Sequence, residues 1–405
     1  MAEVPMLFIL AGLAAYTVLA GADFGAGLWT LLARRGRTGR AKAVDHARHA
    51  MGPVWEANHV WLIFVLVVCW TAYPVAFGSI TSTLAVPLFI AAVGIILRGA
   101  SYALRGQLDD ARGRRPVENL FALSSILTPF ALGTVVGGIA SGRVPVGNAA
   151  GDLITSWLNP TSMAIGVLAV ASGGFLAAVY LAADARRLRE PALELDFRAR
   201  ALVSGVCAGV LAIAGLVVVH FDAPALFAGL TRDGGAAMVG VSAAAGLATL
   251  LLVWRERFGP ARALAALAVT AIVAGWGLAQ RPRFLPGLTL TQAAAGRATL
   301  MAVIVAGVIG ALVLLPSLIL LFRLFLRGHL DPSAAEVPVS APPVAGRGAR
   351  PRLLAAFAVA TLLAGLAMAL LGGAGWVLAA GVVCLVACAV STFVLAVTAD
   401  ADHQS

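Results

Sequence analysis

The chain has 405 residues, of which 60% are hydrophobic and 12% are charged, and its mean hydropathy is +0.94. A soluble domain carries about 25% charged residues, so this composition excludes a soluble protein and predicts an integral membrane protein. The formal charge of +10 would suggest nucleic acid in a soluble chain. Here the arginines lie in short loops between apolar runs, which favours a lipid membrane as the partner and no nucleic acid.

About eleven apolar runs are long enough to cross a membrane, which takes roughly 20 residues. In chain order the predicted spans are residues 5–33, 58–78, 80–104, 118–140, 160–183, 201–221, 236–254, 262–280, 298–326, 351–372 and 374–398. A tight outer turn is expected between the second and third spans, in the segment AYPVAFGSI. This pattern predicts an all-α fold.

The distribution of basic residues predicts the orientation of the spans. Most of them occupy the loops that follow odd-numbered spans. The loops on the opposite side hold only Arg143, Arg232, Arg281, Arg283 and Arg297. Because positive loops favour the cytoplasmic side, the N-terminus is expected outside and the C-terminus inside.

One segment differs in composition from the rest of the chain. Residues 331–350 are rich in Pro, Ala and Gly and lack apolar periodicity, which predicts a flexible cytoplasmic linker. The linker would separate a membrane core of about nine helices, residues 1–330, from a two-helix membrane tail, residues 351–400.

Two ionisable residues lie well inside predicted spans, where each costs about 2.5–3.5 kcal/mol on insertion scales and is therefore a candidate functional residue. Asp23 lies in the second half of the first span, in GADFGAG, and Arg98 lies near the cytoplasmic end of the third. Small residues around Asp23 allow neighbouring helices to approach closely. Asp23 therefore needs a partner, either the Arg98 cation or a backbone or hydroxyl group, in a functional site or in a buried helix–helix contact.

The segment GPVWEANHVWLIF opens the second span with Trp55, Glu56, Asn58, His59 and Trp61. Glu56 and His59 are three residues apart, so they can meet on one helix face. One interpretation is an interfacial belt, because tryptophan favours the headgroup level and polar residues are common at helix starts. The other is a proton entrance, in which a desolvated Glu56 carboxylate exchanges protons with the cytoplasm.

No metal or haem site is expected in this chain, and no catalysis by the chain alone. The four cysteines lie in apolar runs and are expected to be small buried hydrophobic residues, and Cys384 and Cys388 share a helix face with no further ligand nearby. Of the histidines, only His59 and His220 touch spans, and they fall at opposite membrane faces. The sequence has no Cys-x-x-Cys-His, P-loop or nucleotide motif.

Five segments together resemble subunit II of the cytochrome bd-type quinol oxidases. They are GADFGAG, GPVWEANHVWLIF, LRGASYALRG, RPRFLPGLTLTQAAAGRATL and LPSLILLFRLF. They occur in the order of that family and extend from residue 1 to about residue 330. The block of Trp, acid, Asn and Trp that opens the second span is the most specific of the five.

The resemblance implies a heterodimer in the bacterial inner membrane, in which each subunit has two four-helix bundles and one additional helix. Subunit I is expected to hold two b-type haems, one d-type haem and the quinol oxidation site, and subunit II no haem. The complex oxidises quinol, reduces dioxygen to water and takes its protons from the cytoplasm. The resemblance leaves open whether this subunit holds a structural quinone and whether a small accessory subunit joins.

The same resemblance assigns roles to individual residues. Glu56 matches the acid of the proton path, and Asp23 matches the second of two acids in the first span, whereas Ala20 stands in place of the first. Trp55 and Arg98 match positions near a cytoplasm-side cavity and a candidate quinone contact. Asn58, His59 and Trp61 are expected to support that helix end.

Two other functions fit a polytopic chain. A proton-coupled secondary transporter would also use intramembrane charges, although no inverted repeat with helices broken at the midplane is evident. A scaffold subunit without a proton role would share the predicted fold, and substitution of Glu56 and Asp23 would distinguish it from a proton path.

Overall fold

The computed structural model describes residues 1–33, 46, 55–105, 111–326 and 349–371, together with scattered positions between 377 and 391. The chain forms two compact units, Met1–Pro316 and Ser317–Ser405. Residues 331–348 of the linker predicted over 331–350, and most of the predicted last span, lie outside the described residues. In the second unit the described helix is Ala349–Leu371.

Nearly all described residues are helical. The helices in the described part of the chain are α1 (Val4–Ala33), α2 (Trp55–Ala72), α3 (Pro74–Thr83), α4 (Ala85–Arg105), α5 (Ala111–Ala140), α6 (Pro160–Arg187), α7 (Pro191–Asp222), α8 (Pro224–Leu230), α9 (Asp233–Trp254), α10 (Phe258–Gln280), α11 (Leu290–Ala293), α12 (Arg297–Leu326) and α13 (Ala349–Leu371). Strands β1 (Arg283–Leu285) and β2 (Leu288–Thr289) form one small antiparallel hairpin. The expected all-α class therefore holds apart from this hairpin.

Within the described part of the chain, eight helices are long and apolar enough to cross a membrane, namely α1, α4, α5, α6, α7, α9, α10 and α12. The prediction of a single second span over residues 58–78 is wrong. The helix ends at Ala72, and a separate helix begins at Pro74. Proline lacks a backbone N–H and clashes with the preceding turn, so it fits the first position of a helix better than the interior.

Helix α1 lies at the centre of the first unit and packs against α2, α5, α6 and α10, while α4 packs against α5. Its approach to α6 depends on glycine. A Cβ added at Gly25 would lie 2.0 Å from the backbone oxygen of Gly173 on α6, a distance no side chain tolerates. This close contact sets the position of Asp23, which precedes Gly25 by about half a helical turn.

The largest buried cluster lies beside α1, between α6, α7 and α10, and includes Phe175, Leu176, Leu181, Phe197 and Phe258. A second cluster gathers Tyr73, Leu84, Val144 and Leu285 at the other end of the unit. Because lipid is as apolar as these side chains, the clusters stabilise the helix contacts by close van der Waals packing and not by removal from water. The two clusters hold the helices that carry the charged residues of the interior.

Candidate functional site

Asp23 and Arg98 form an ion pair in the protein interior, and their side chains are 1% and 0% exposed. Arg98 Nε donates to Asp23 Oδ2 at 3.1 Å, and Arg98 Nη2 lies 2.8 Å from Oδ1. The same Nη2 donates to the backbone oxygen of Asp23 at 2.9 Å. The cation expected for Asp23 is therefore Arg98, and the pair connects α1 to α4.

Aromatic rings and a hydroxyl complete the surroundings of the guanidinium. Its Cζ lies 4.3 Å from the ring centre of Phe121 and 4.7 Å from that of Phe24. Arg98 Nη1 donates to Ser125 Oγ at 2.6 Å, and Ser125 in turn donates to the backbone oxygen of Phe121. All three guanidinium nitrogens thus bond protein oxygens, which is what a buried charge requires.

A glycine makes room for this network. A Cβ at Gly27 would lie 1.9 Å from Ser125 Oγ and 3.2 Å from Arg98 Nη1. Gly27 follows Asp23 by one helical turn, so the two residues share a face of α1. The glycines flanking Asp23 therefore serve two different contacts, Gly25 with the backbone of α6 and Gly27 with the polar network.

A second group of side chains lies next to the pair, between α1 and α2. The ring of His59 contacts Tyr16 and Phe24 edge-on, with centroid distances of 6.1 and 6.3 Å. Trp61 packs against the buried cluster that contains Tyr16, Ala20 and Phe24. The ring of Phe24 thus contacts both the imidazole of His59 and the guanidinium of Arg98.

The structure describes the side chains of some predicted residues of the second span and not those of others. Asn58 is 3% exposed, and His59 and Trp61 are half-buried. Trp55 and Glu56 lie in the first turn of α2, but their side chains lie outside the described residues. The predicted meeting of Glu56 with His59 on one helix face therefore stays a prediction.

Three residues near the pair were not singled out from the sequence. Tyr102 Oη lies 3.5 Å from Asp23 Oδ1, and Ser125 binds Arg98. The Tyr16 hydroxyl is buried and has no hydrogen-bond partner among the described residues. Tyr102 follows Arg98 by one turn and Tyr16 precedes Asp23 by two turns, so helical spacing could have identified both.

A second ion pair lies at the start of α6, near the opposite ends of the spans from Asp23. Arg143 Nη2 and Nη1 donate to Asp222 Oδ1 and Oδ2 at 2.7 and 2.9 Å. The backbone N–H and hydroxyl of Thr161 also donate to Oδ2. Hydrogen bonding to Asp222 raises the pKa of the Arg143 guanidinium. This contact joins the ends of α6 and α7.

No group of three or more His, Cys, Asp or Glu side chains that could hold a metal ion occurs in the described ranges. Cys69 is half-buried, as are Cys384 and Cys388, whereas Cys207 is exposed on the helix surface. The expectation that all four are buried is thus wrong for Cys207, because the apolar side chains of a spanning helix can face outward.

The comparisons with known proteins agree with one another. The family model for cytochrome bd terminal oxidase subunit II matches residues 1–325. A putative cytochrome bd menaquinol oxidase subunit II of Bacillus subtilis is 22% identical over 322 residues, which cover 77% of this chain and 92% of that protein. In Escherichia coli, the cytochrome bd-I ubiquinol oxidase subunit 2 is 24% identical over 127 residues, which cover 31% of this chain and 32% of that protein.

A solved structure has the same fold. A chain of the bd oxidase from Geobacillus thermodenitrificans superimposes with a TM-score of 0.63 at 26% sequence identity. The alignment covers 80% of this chain and 98% of that chain. The shared fold therefore extends over nearly the whole of the solved chain.

Proposed function

The chain belongs to the cytochrome bd terminal oxidase subunit II family, and from that membership we propose how its residues serve the complex. It is subunit II of a cytochrome bd quinol oxidase, a membrane-bound oxidoreductase of aerobic respiration, and it works with a partner oxidase subunit I in a complex that carries haem. The match over residues 1–325 carries this conclusion. It does not favour a secondary transporter.

In this proposal the haems belong to subunit I, with two of b type and one of d type, and this chain binds none. Electrons from quinol reduce dioxygen to water in the complex, whose location is the bacterial inner membrane. Which quinol is used, and whether a small accessory subunit joins, does not alter the role proposed for this chain. Its own residues would position helices and conduct protons.

The proposed proton path begins at Glu56, in the first turn of α2, and leads past His59 towards Asp23. His59 follows Glu56 by three residues, so both belong to one helix face, and its ring contacts Phe24, the neighbour of Asp23. The guanidinium of Arg98 supplies the counter-charge that allows a carboxylate at Asp23 to be buried. Asn58 and Trp61 would fix this end of α2.

A structural quinone beside Trp55 is part of the same proposal, but Arg98 does not fit it as a contact. The Arg98 side chain is fully buried, and all its nitrogens bond Asp23 or Ser125. Phe24 and Phe121 lie within cation–π distance of the guanidinium. We therefore assign Arg98 to holding Asp23.

The proposed arrangement in the membrane follows the family. One four-helix bundle would contain α1, α2, α4 and α5, the other α6, α7, α9 and α10, with α12 as the additional helix. Packing of α1 on α2 and α5, of α6 on α7 and of α9 on α10 supports this grouping. The N-terminus would lie outside and the C-terminus inside. Residues 331–350 would link the core, 1–330, to a two-helix membrane tail, 351–400.

A spectrum of the purified complex tests the oxidase assignment. The tagged chain is purified gently from native membranes, and a reduced-minus-oxidised visible spectrum is recorded. A larger co-purifying subunit with b-type and d-type haem bands is expected. A colourless protein that stays folded without a partner would contradict the assignment.

The proton path is tested by Glu56→Gln in the assembled complex. An amide cannot take up and release a proton, so quinol-dependent oxygen consumption and proton uptake should fall about a hundredfold or more, the usual range for loss of a proton-transfer group. Glu3→Gln is the matched control, because the exposed Glu3 directly precedes α1, near the opposite end of that helix from Asp23. Unchanged turnover and proton uptake in Glu56→Gln would exclude Glu56 as the required carrier.

A further inference from the structure

A cavity of about 410 Å³ opens where α9 begins, where α10 ends and beside the short helix α8. Arg232, Arg281 and Arg283 all line it. They come from two separate chain segments, so the fold brings them together. Asp233 is the sole acidic residue among those that line the cavity, which leaves the lining with an excess of positive charge.

The arginines of this cavity are poorly neutralised by the protein. Arg281 pairs with Glu3 at 2.7 Å, but both side chains are more than half exposed. Among the described residues, no carboxylate pairs with Arg232 or Arg283. Converging cations repel one another unless an anion lies between them. Unlike Arg143, which is neutralised by Asp222, Arg232 and Arg283 have no neutralising carboxylate among the described residues.

The cavity lies at the level expected for lipid headgroups. It is bounded by the first residue of one candidate span, Asp233, and by Leu278 near the last residue of another. Leu278 is 40% exposed and, with Ala225 and Ala228, gives the cavity an apolar wall. Arginines next to an exposed apolar surface suit an anion that carries hydrocarbon chains.

Glycines bring the elements around the cavity into close contact. Gly229, Gly234 and Gly235 line it, and a Cβ at Gly235 would lie 2.1 Å from the backbone oxygen of Gly229, so the start of α9 packs directly against α8. The first N–H groups of α9, which have no partner within that helix, lie in this wall. These donors would add to the positive charge that the arginines supply.

We propose that this arginine-lined cavity binds the phosphate group of an anionic phospholipid, whose acyl chains pass over Leu278. Arg232 and Arg283 supply the charge-assisted hydrogen bonds to the phosphate. The inference is independent of the proton path, because the cavity lies near the opposite end of α1 from Asp23, beside Glu3. Loss of the bound lipid would leave the haem spectrum of the complex intact.

The test uses the intact complex in detergent, as wild type and as the double variant Arg232→Gln/Arg283→Gln. Arg297→Gln is the matched control, since Arg297 is an exposed arginine that does not line the cavity. The complexes are washed free of lipid and titrated with phosphatidylglycerol, with phosphatidylcholine and with inorganic phosphate. Bound lipid is counted by native mass spectrometry, and thermal stability gives a second readout.

Wild type and Arg297→Gln should retain phosphatidylglycerol about thirtyfold more tightly than the double variant, as expected for loss of two arginines at a membrane surface. Inorganic phosphate should not displace the lipid. Equal retention by the double variant, or equal binding of phosphatidylcholine, would overturn the proposal. Stabilisation of wild type by phosphate alone, abolished in the double variant, would overturn the lipid assignment and identify free phosphate as the occupant.

Discussion

The guanidinium of Arg98 and the carboxylate of Asp23 face each other with Nη2 2.8 Å from Oδ1, and neither side chain is accessible to solvent. Arg98 belongs to α4, Asp23 to α1, and the remaining donor of the pair reaches Ser125 on α5. One arginine therefore ties three helices together. A buried charge with all its nitrogens bonded is stable, but it becomes costly when one partner is removed.

Arg98→Met should destabilise the protein by about 3–5 kcal/mol, because it leaves the Asp23 carboxylate buried without its cation. The measurement is the thermal stability of the purified complex, followed by retention of the haem spectrum and by size-exclusion chromatography. The double variant Arg98→Met/Asp23→Leu should recover most of the loss, since no unpaired charge remains. A single variant as stable as wild type would show that the pair does not hold the helices.

Gly25→Ala should weaken the packing of α1 on α6. The new Cβ would lie 2.0 Å from the backbone oxygen of Gly173, so the helices must separate, at a cost of about 1–3 kcal/mol or more. Gly209→Ala is the control, because nothing lies within 4 Å of its added Cβ and alanine is the better helix former. Equal thermal stability of the two variants would contradict the close contact.

Gly27→Ala should disturb the site itself, because its Cβ would meet the side chain of Ser125 at 1.9 Å. This obstruction is a side chain, so adding Ser125→Gly should make the loss of stability and assembly smaller than the sum of the two single losses. The sum is the reference because Ser125→Gly alone removes a hydrogen bond from the buried Arg98. The same second change added to Gly25→Ala should restore nothing, since that clash is with backbone. The measurement for each single and double variant is the yield of haem-containing complex. Rescue of both variants would contradict the separate contacts assigned to the two glycines.

Tyr16→Phe should leave stability unchanged or slightly raised, since the buried hydroxyl has no partner among the described residues and an unsatisfied polar group costs free energy. Tyr73→Phe is the control, because the Tyr73 hydroxyl donates to the backbone oxygen of Ala2 at 2.5 Å. That variant should lose about 1 kcal/mol. Thermal unfolding of both complexes gives the comparison, and a larger loss for Tyr16→Phe would reveal a partner for its hydroxyl.

The pairing of Asp23 with Arg98 was predictable, because an acid in a span needs a partner and one arginine lies in a neighbouring span. The contacts of Arg98 with Ser125, Phe24 and Phe121 were not predictable. The local sequence pattern does not indicate which residues of other helices contact a given guanidinium. The break between α2 and α3 at Tyr73 shows a different limit of prediction from the sequence. Pro74 was read as part of a turn, whereas proline begins a new helix there and divides the expected span.

By itself the sequence determined the membrane class, most of the spans, the intramembrane charges and the family, because all of these depend on composition and on residues close together in the chain. Only the tertiary structure decided the partners of Arg98, the separate contacts of Gly25 and Gly27, and the meeting of Arg232 with Arg283. The physical reason is that such contacts depend on how the helices are rotated and how closely they approach. Side-chain packing between distant segments sets both quantities.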